Sequence, residues 1–140
     1  MIKKKKKIPA ISSLKNKLWR LCSEYNRRKD CDETGTGNCI SCGALLYWKD
    51  GDAGHFIPRS RQGETYYLKE NIHLQCKRCN GFDVERGKIG YTMAMVDKYG
   101  AEKIEELQAL SRKQARYRRA DYERMIAEYK QLLDNINKLL

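Results

Sequence analysis

Two cysteine pairs, C-I-S-C at Cys39 and Cys42 and C-K-R-C at Cys76 and Cys79, bracket one of the chain's two histidines, His55, in the stretch D-A-G-H-F-I-P (52–58). Four thiolates suit zinc, which is borderline soft, has no d-electron geometric preference and closes a tetrahedron at about 2.3 Å per sulfur. Both sulfurs of a C-x-x-C turn can reach one ion, so these four cysteines read as a structural zinc site. Such an ion keeps no open position for water, and chemistry then falls to other residues. The 33 residues between Cys42 and Cys76 exceed what a minimal zinc ribbon needs, so the insert carries something more. Cys22 reads as an ordinary buried thiol, and Cys31, in a loop, is given no role.

The zinc reading depends on a reducing compartment. The chain opens M-I-K-K-K-K-K, but the residues that follow lack the roughly 7–15 apolar residues of an export signal. No run is long enough to span a membrane, and the expectation is a cytoplasmic protein with no membrane partner. There thiols stay reduced, and paired cysteines mean metal. A net charge of +11, from 29 Lys plus Arg against 18 Asp plus Glu, points to an acidic partner without naming it.

At 140 residues the chain fits one domain with appended helices. Residues 1–11 read as a basic flexible arm, 12–100 as a zinc-stabilised domain, and 101–140 as a helical extension. Leu14, Leu18, Leu21 and Tyr25 recur at helical spacing from Ser12 to about Lys29, with Ser12 or Ser13 as N-cap and Arg20, Arg27, Arg28 and Lys29 on a basic face. Residues 31–38 read as loop and 43–75 as a hairpin or two short strands with a long connection. After Asn80, the residues Ile89, Met93, Val96 and Tyr99 mark the apolar face of a helix closed by Gly100. Ile104, Leu107 and Leu110 suggest a short helix. Finally Tyr122, Met125, Tyr129, Leu132, Ile136 and Leu139 form a heptad seam, which serves either the chain's own helices or a homodimer.

The order C-x-x-C, G-H-F-I-P, then N-I-H-L-Q-C-x-x-C-N resembles the zinc-bearing branch of the HNH, or ββα-metal, nucleases. The resemblance narrows to the NinG (Rap) recombination proteins of lambda-like phages, through the Arg-rich helix before C-I-S-C-G, the D-A-G-H motif, E-N-I-H-x-Q-C-x-x-C-N and a closing helix with A-E-Y-x-Q. It implies an α+β fold with a small zinc-stapled ββα-metal core, an N-terminal helix and C-terminal helices. Implied too is a structure-selective endonuclease acting on branched DNA, Holliday junctions and D-loops among them. His55 is then the general base, Asn80 a ligand of magnesium or manganese, and Asn71 the residue that brases the loop. Many HNH nucleases carry Asp directly before the base; here that position is Gly54, and Asp52 is the nearest carboxylate, with Asp50, Glu64 and Glu70 in reserve. Phage endonuclease VII resembles this chain in having Asn directly after the final cysteine.

The chemistry is consistent with those roles. Phosphodiester hydrolysis needs an aligned, deprotonated water and a cation for the growing charge; imidazole titrates near working pH, and magnesium takes carboxylate and amide oxygens. Between Ile72 and Leu74, His73 reads as a support for the fold or a helper facing DNA. Arg59 and Arg61 could clamp phosphates or form a solvated loop, and Lys77 and Arg78 in the zinc turn meet the backbone. Arg112, Arg116 and Arg119 belong to a basic run that either cradles a DNA arm or is a solvated face. The alternative function is a non-catalytic zinc module that binds DNA as a recombination accessory. An RNA-binding role is disfavoured because no aromatic stacking platform is evident in the pattern.

Overall fold

The computed structural model describes residues 2–58 and 63–139. In chain order the regular elements are helix α1 (Ile11–Arg28), strands β1 (Thr36–Asn38), β2 (Leu45–Tyr47), β3 (Asp52–His55) and β4 (Ile72–Gln75), and helices α2 (Val84–Tyr99), α3 (Ala101–Ser111) and α4 (Arg119–Lys138). Strands β1 and β2 pair antiparallel, as do β3 and β4, giving two small ribbons in a mixed α+β domain. No helix among the described residues is long and apolar enough to cross a membrane.

Strand β4 lies at the centre because all four of its residues are buried. Side chains alternate along a strand, so β4 serves two cores at once. Ile72 enters the first core, with Leu14, Leu18 and Cys22 of α1 and Tyr122, Met125, Ile126 and Tyr129 of α4. His73 points the other way, to Tyr91 and Tyr99 of α2. The second core, Ile57, Tyr91, Met95 and Leu107, joins the segment after β3 to α2 and α3. Two-sided burial of one short strand makes the β3–β4 ladder the layer between two helical packs.

Helix α1 buries Leu14, Leu18, Cys22 and Asn26, a stripe at four-residue spacing that faces α4. The expected basic face of α1 is partly used inside the protein. Lys29 Nζ donates to Ile72 O at 2.7 Å, to Asn26 Oδ1 at 2.9 Å and to Lys69 O, which docks the end of α1 on β4. Burial pulls its pKa down to about 8. The guanidiniums of Arg27 and Arg28 lie over the Trp48 ring at 4.9 and 5.4 Å.

Several sequence expectations need correction. Helix α1 starts at Ile11 with Ala10 at its N-cap and no side-chain cap, so Ser12 and Ser13 lie in the first turn. Part of the expected loop at 31–38 is strand β1. In α2 the helical period holds, and Gly100, at φ 83°, closes it by donating its N–H to Val96 O at 2.9 Å. The face is different, however. Ile89, Met93 and Val96 are exposed, whereas Gly87, Tyr91 and Met95 are buried. The reason is close approach: a Cβ on Gly87 would lie 2.3 Å from Cys79 O, and one on Gly90 2.0 Å from Ser41 O. Helix α2 is seated on backbone through its glycines, which turns the Ile89 stripe outward. In α4, Tyr122, Met125 and Tyr129 of the heptad seam are buried in the core shared with α1, and Leu139 is exposed.

The seating of α2 gives a test. On propensity alone, Gly90→Ala would stabilise a helix by about 1 kcal/mol. Because the new methyl meets a main-chain oxygen, the variant is expected to lose about 1–2 kcal/mol in denaturant unfolding; a raised midpoint would refute this packing.

Candidate functional site

The four sulfurs of Cys39, Cys42, Cys76 and Cys79 lie within 4.8 Å of one another. Local hydrogen bonds put them there. Gly43, at φ 78°, turns the first pair by donating its N–H to Cys39 O at 2.9 Å, and Ile40 N–H to Leu74 O at 2.9 Å ties this loop to β4. The Cys76 and Cys79 amides donate to Cys39 Sγ and Cys76 Sγ at 3.3 and 3.5 Å, as suits anionic sulfur. A tetrahedron with 2.3 Å bonds has edges of about 3.8 Å, and Cys42 Sγ to Cys76 Sγ is 3.8 Å. Desolvation, then the neighbouring sulfurs, push the Cys79 thiol well up, so a bare thiolate at Cys79 is unfavourable and a divalent cation would relieve it. The cluster can therefore hold a zinc ion. Cys31, whose thiol donates to Arg27 O at 3.2 Å, and Cys22, raised to about 11 by burial, stand apart from it.

Directly after the last cysteine, Asn80 donates from Nδ2 to Asp52 Oδ2 at 3.0 Å, and Lys77 Nζ donates to Asp52 Oδ1 at 2.8 Å. Burial alone would raise the Asp52 carboxyl. The hydrogen bonds from Lys77 and Asn80 and the charges of Lys77 and Arg27 outweigh it and hold the group below the usual carboxylate range. An open cleft beside this pair is lined by Trp19, Ser23 and Arg27 of α1 together with Lys49 and Lys77. Trp19, Ser23 and Arg27 fall at four-residue spacing, one face of a helix. Asp50, Glu64 and Glu70 do not line the cleft.

Strand alternation puts Asp52 on the same face as position 54. A side chain at 54 has no room, since a Cβ there would lie 2.1 Å from Oε1 of the buried Gln75. Gln75 in turn donates to Ser41 Oγ at 2.8 Å, in the loop of the first cysteine pair.

His55 ends β3. Its Nε2 is 2.9 Å from Tyr66 O, and since a carbonyl only accepts, the proton is on Nε2 and the basic lone pair on Nδ1. The ring stacks on Trp19, with centroids 5.3 Å apart and planes at 17°. His55 and Asn80 both line a second cleft of about 300 Å³ with Phe56, Gln75, Lys88 and Tyr91. Beyond His55 the chain is braced by buried Asn71, which accepts from Ile57 N–H at 2.8 Å and donates to Thr65 O at 3.2 Å.

His73 is a structural residue. Tyr91 O–H donates to Gly54 O at 2.7 Å, so His73 Nδ1–H donates to the Tyr91 oxygen at 3.0 Å and Nε2 accepts from Tyr99 O–H at 2.9 Å. With the imidazole neutral, every group in this chain is satisfied within the protein. Desolvation, aided by Lys29 and Lys98, lowers its pKa to about 2.

The remaining basic candidates are dispersed. Arg59 and Arg61 lie outside the described residues. Arg78 pairs with Asp83 at 3.8 Å, Arg119 donates to Pro9 O at 2.6 Å, and exposed Arg112 caps the end of α3. Arg116 lines a separate aromatic cavity. Sequence reasoning missed Trp19, Ser23, Lys49 and Gln75. The helical spacing of Trp19, Ser23 and Arg27 was the available signal for the first two.

A family model described as "Bacteriophage Lambda NinG protein" matches residues 1–138. Protein ninG of Salmonella phage P22 and protein ninG of Escherichia phage lambda are each 28% identical to this chain over 100 residues, 70% of the chain and 47% of the relative. Protein ninG of Escherichia phage 933W is 30% identical over 73 residues, 51% of this chain and 34% of its own. The chain thus spans about half the length or less of these curated relatives. No solved structure matches it.

Two outcomes follow from the geometry. Stripping the cysteine cluster with a strong chelator, or Cys42→Ala, is expected to abolish cooperative unfolding seen by circular dichroism, because the metal's binding energy is folding energy; an unchanged transition would deny the cluster that role. For His73, the folded pKa of about 2 lies below the unfolded value, so its contribution is full above pH 6.5 and is lost as pH falls below it. Between pH 6.5 and 5, wild type is expected to lose about 2 kcal/mol more than His73→Gln. Parallel losses would contradict a neutral buried imidazole.

Proposed function

This chain belongs to the NinG family, and on that premise we propose that it is a metal-dependent endonuclease that hydrolyses phosphodiester bonds in branched DNA, Holliday junctions and D-loops among them. The observation that carries the reading is the convergence of a carboxylate, a carboxamide and an oriented imidazole. Asp52 and Asn80 lie in hydrogen-bond contact, and Asn80 shares a cleft with His55. The β3–β4 ribbon followed by α2, with the cysteine cluster at the junction, supports an HNH-like core.

With its carboxamide turned so that the oxygen replaces Nδ2 beside Asp52 Oδ2, Asn80 would complete with Asp52 an oxygen pair that fits magnesium or manganese, which favour oxygen and keep several waters. Held there, the ion would supply positive charge for the phosphate and the leaving oxygen. Gly54, where many HNH nucleases carry Asp, is compatible with this role: Gln75 occupies that space, and Asp52 lies on the same strand face. His55 Nδ1 takes the proton of the attacking water. The Tyr66 carbonyl fixes its tautomer, Trp19 holds its plane, and Asn71 braces the turn beyond it. Arg27, Lys49 and Lys77 line the Asp52 cleft and suit the phosphates on either side of the cut. Symmetric resolution of a junction calls for two sites related by a two-fold axis, and the exposed end of the α4 seam at Leu139 offers a contact for a second copy.

One observation favours the non-catalytic alternative, a zinc module that binds branched DNA. Lys77 Nζ already neutralises Asp52 at 2.8 Å. Lys77 is largely exposed, however, and free to exchange onto a phosphate.

A cleavage assay on a four-way junction decides between them. Cutting is expected to require magnesium, and His55→Ala to slow it by roughly 10²–10⁴-fold with zinc content and junction affinity retained. Undiminished cutting would remove His55 from the mechanism. Tight junction binding by wild type with no cutting under any divalent metal would establish the accessory reading.

A further inference from the structure

Apart from the Asp52 and His55 clefts, the most distinctive feature is a cavity of about 520 Å³ walled by four tyrosines, Tyr66, Tyr67, Tyr117 and Tyr122, with Lys15 and Arg116 at its edge. These residues come from α1, from the turn before β4, from the segment preceding α4 and from α4 itself. Gly63 also lines the cavity; this residue bridges to Gln114 and approaches so near that a Cβ would lie 2.6 Å from Ser111 O. The cavity's rings form a continuous series: Tyr66 to Tyr67 edge-on at 4.5 Å, Tyr67 to Tyr117 tilted at 6.0 Å and Tyr117 to Tyr122 edge-on at 5.7 Å between centroids. Lys15 Nζ sits 5.9 Å from the centre of the Tyr122 ring. Two of the described lining residues are cationic and none is a carboxylate, whereas the neighbouring groove beyond Tyr67 contains Glu64, Glu70 and Glu128.

We propose that this cavity binds a single unpaired nucleotide of the DNA substrate, its base against the tyrosine rings and its phosphate on Lys15 and Arg116. Rings and cations are the two parts of a single-strand site: π-faces accept any base, and the charges track the backbone. The volume is that of a small-molecule pocket rather than a duplex groove. Position links it to the catalytic proposal, on whose DNA substrate it rests. Tyr66 lines the cavity and touches His55: its ring lies 5.2 Å from that of His55, and its carbonyl holds His55 Nε2–H. A nucleotide extruded at a branch point would thus lie next to the bond presented to His55, and unpaired bases at the branch would distinguish branched from continuous duplex DNA.

The test is binding by fluorescence anisotropy with the 140-residue chain, in chelator-free buffer containing calcium in place of magnesium. The probes are a labelled duplex with one unpaired nucleotide and the same duplex fully paired. Tyr117, half-buried in the irregular segment before α4, is replaced by Ala and by Phe. Tyr117→Ala is expected to weaken binding of the unpaired-nucleotide probe by roughly 5- to 150-fold, the range for losing one base stack, and to change the paired probe by less than about twofold; Tyr117→Phe should restore wild-type affinity. Arg116→Ala, at an exposed position, is expected to lower the salt dependence by about one phosphate contact. Equal loss on both probes, or no loss on either, would overturn the nucleotide site while leaving DNA binding standing. Failure of wild type to bind either probe would overturn the DNA reading and this inference together.

Discussion

The four-sulfur cluster is the constraint on which the rest of this molecule depends. It brings the first cysteine turn against the end of β4, across the 33 residues between Cys42 and Cys76. Three consequences are local and mechanical. The Ile40 to Leu74 hydrogen bond extends the β4 edge into the cysteine loop. Asn80 is delivered to Asp52 because it is the residue after Cys79, and helix α2 starts only a few residues later. That helix then rests on the two cysteine turns through Gly87 and Gly90, each at a distance no other residue tolerates without movement. Four cysteines that can hold zinc leave no position for substrate, which suits holding neighbouring residues in place.

A second constraint is the alternation of β3. Asp52 and Gly54 share one face of β3, where Gln75 fills the space beside Gly54, while His55 at its end stacks on Trp19 of α1, a residue that also lines the Asp52 cleft. Strand β3 therefore meets both helices: α1 lines the Asp52 cleft, and Lys88 and Tyr91 of α2 line the cleft that His55 shares with Asn80. The cost is that both faces need support. The α2 side has the ordered Tyr99, His73 and Tyr91 chain that ends on the Gly54 carbonyl, and the α1 side has the Trp19 stack and the α1–α4 core. Buried polar chains of this kind specify one arrangement only when every member is satisfied, which the neutral His73 tautomer achieves.

How much of this could be read from residues alone depended on sequence separation. Of the α1 stripe Leu14 and Leu18 were legible, whereas Cys22 and Asn26 are buried where Leu21 and Tyr25 were expected, which are only partly buried. The cysteine pairs and the closing role of Gly100 rest on short-range spacing, and each was legible. The face of α2 was not. Ile89, Met93 and Val96 are as apolar and as well spaced as Tyr91 and Met95, and only the tertiary fit of Gly87 and Gly90 decides between them. Strand β1, Thr36–Asn38, has no alternation to betray it and exists by pairing with β2. The tyrosine cavity draws Tyr66 and Tyr67 to Tyr117 and Tyr122 across some fifty residues, and no linear pattern marks it. Asn71 was expected to brace the loop, and its contacts with Ile57 and Thr65 have that form.

The central claim is that Asp52 and Asn80, placed by the cysteine turn, form a cation site beside His55. Electron paramagnetic resonance titration with manganese addresses it without DNA or turnover, using the zinc-loaded chain and its Asp52→Asn and Asn80→Ala variants. The account requires one manganese bound by wild type and lost or strongly weakened in both variants at unchanged zinc content. Equal manganese uptake by all three proteins would contradict it.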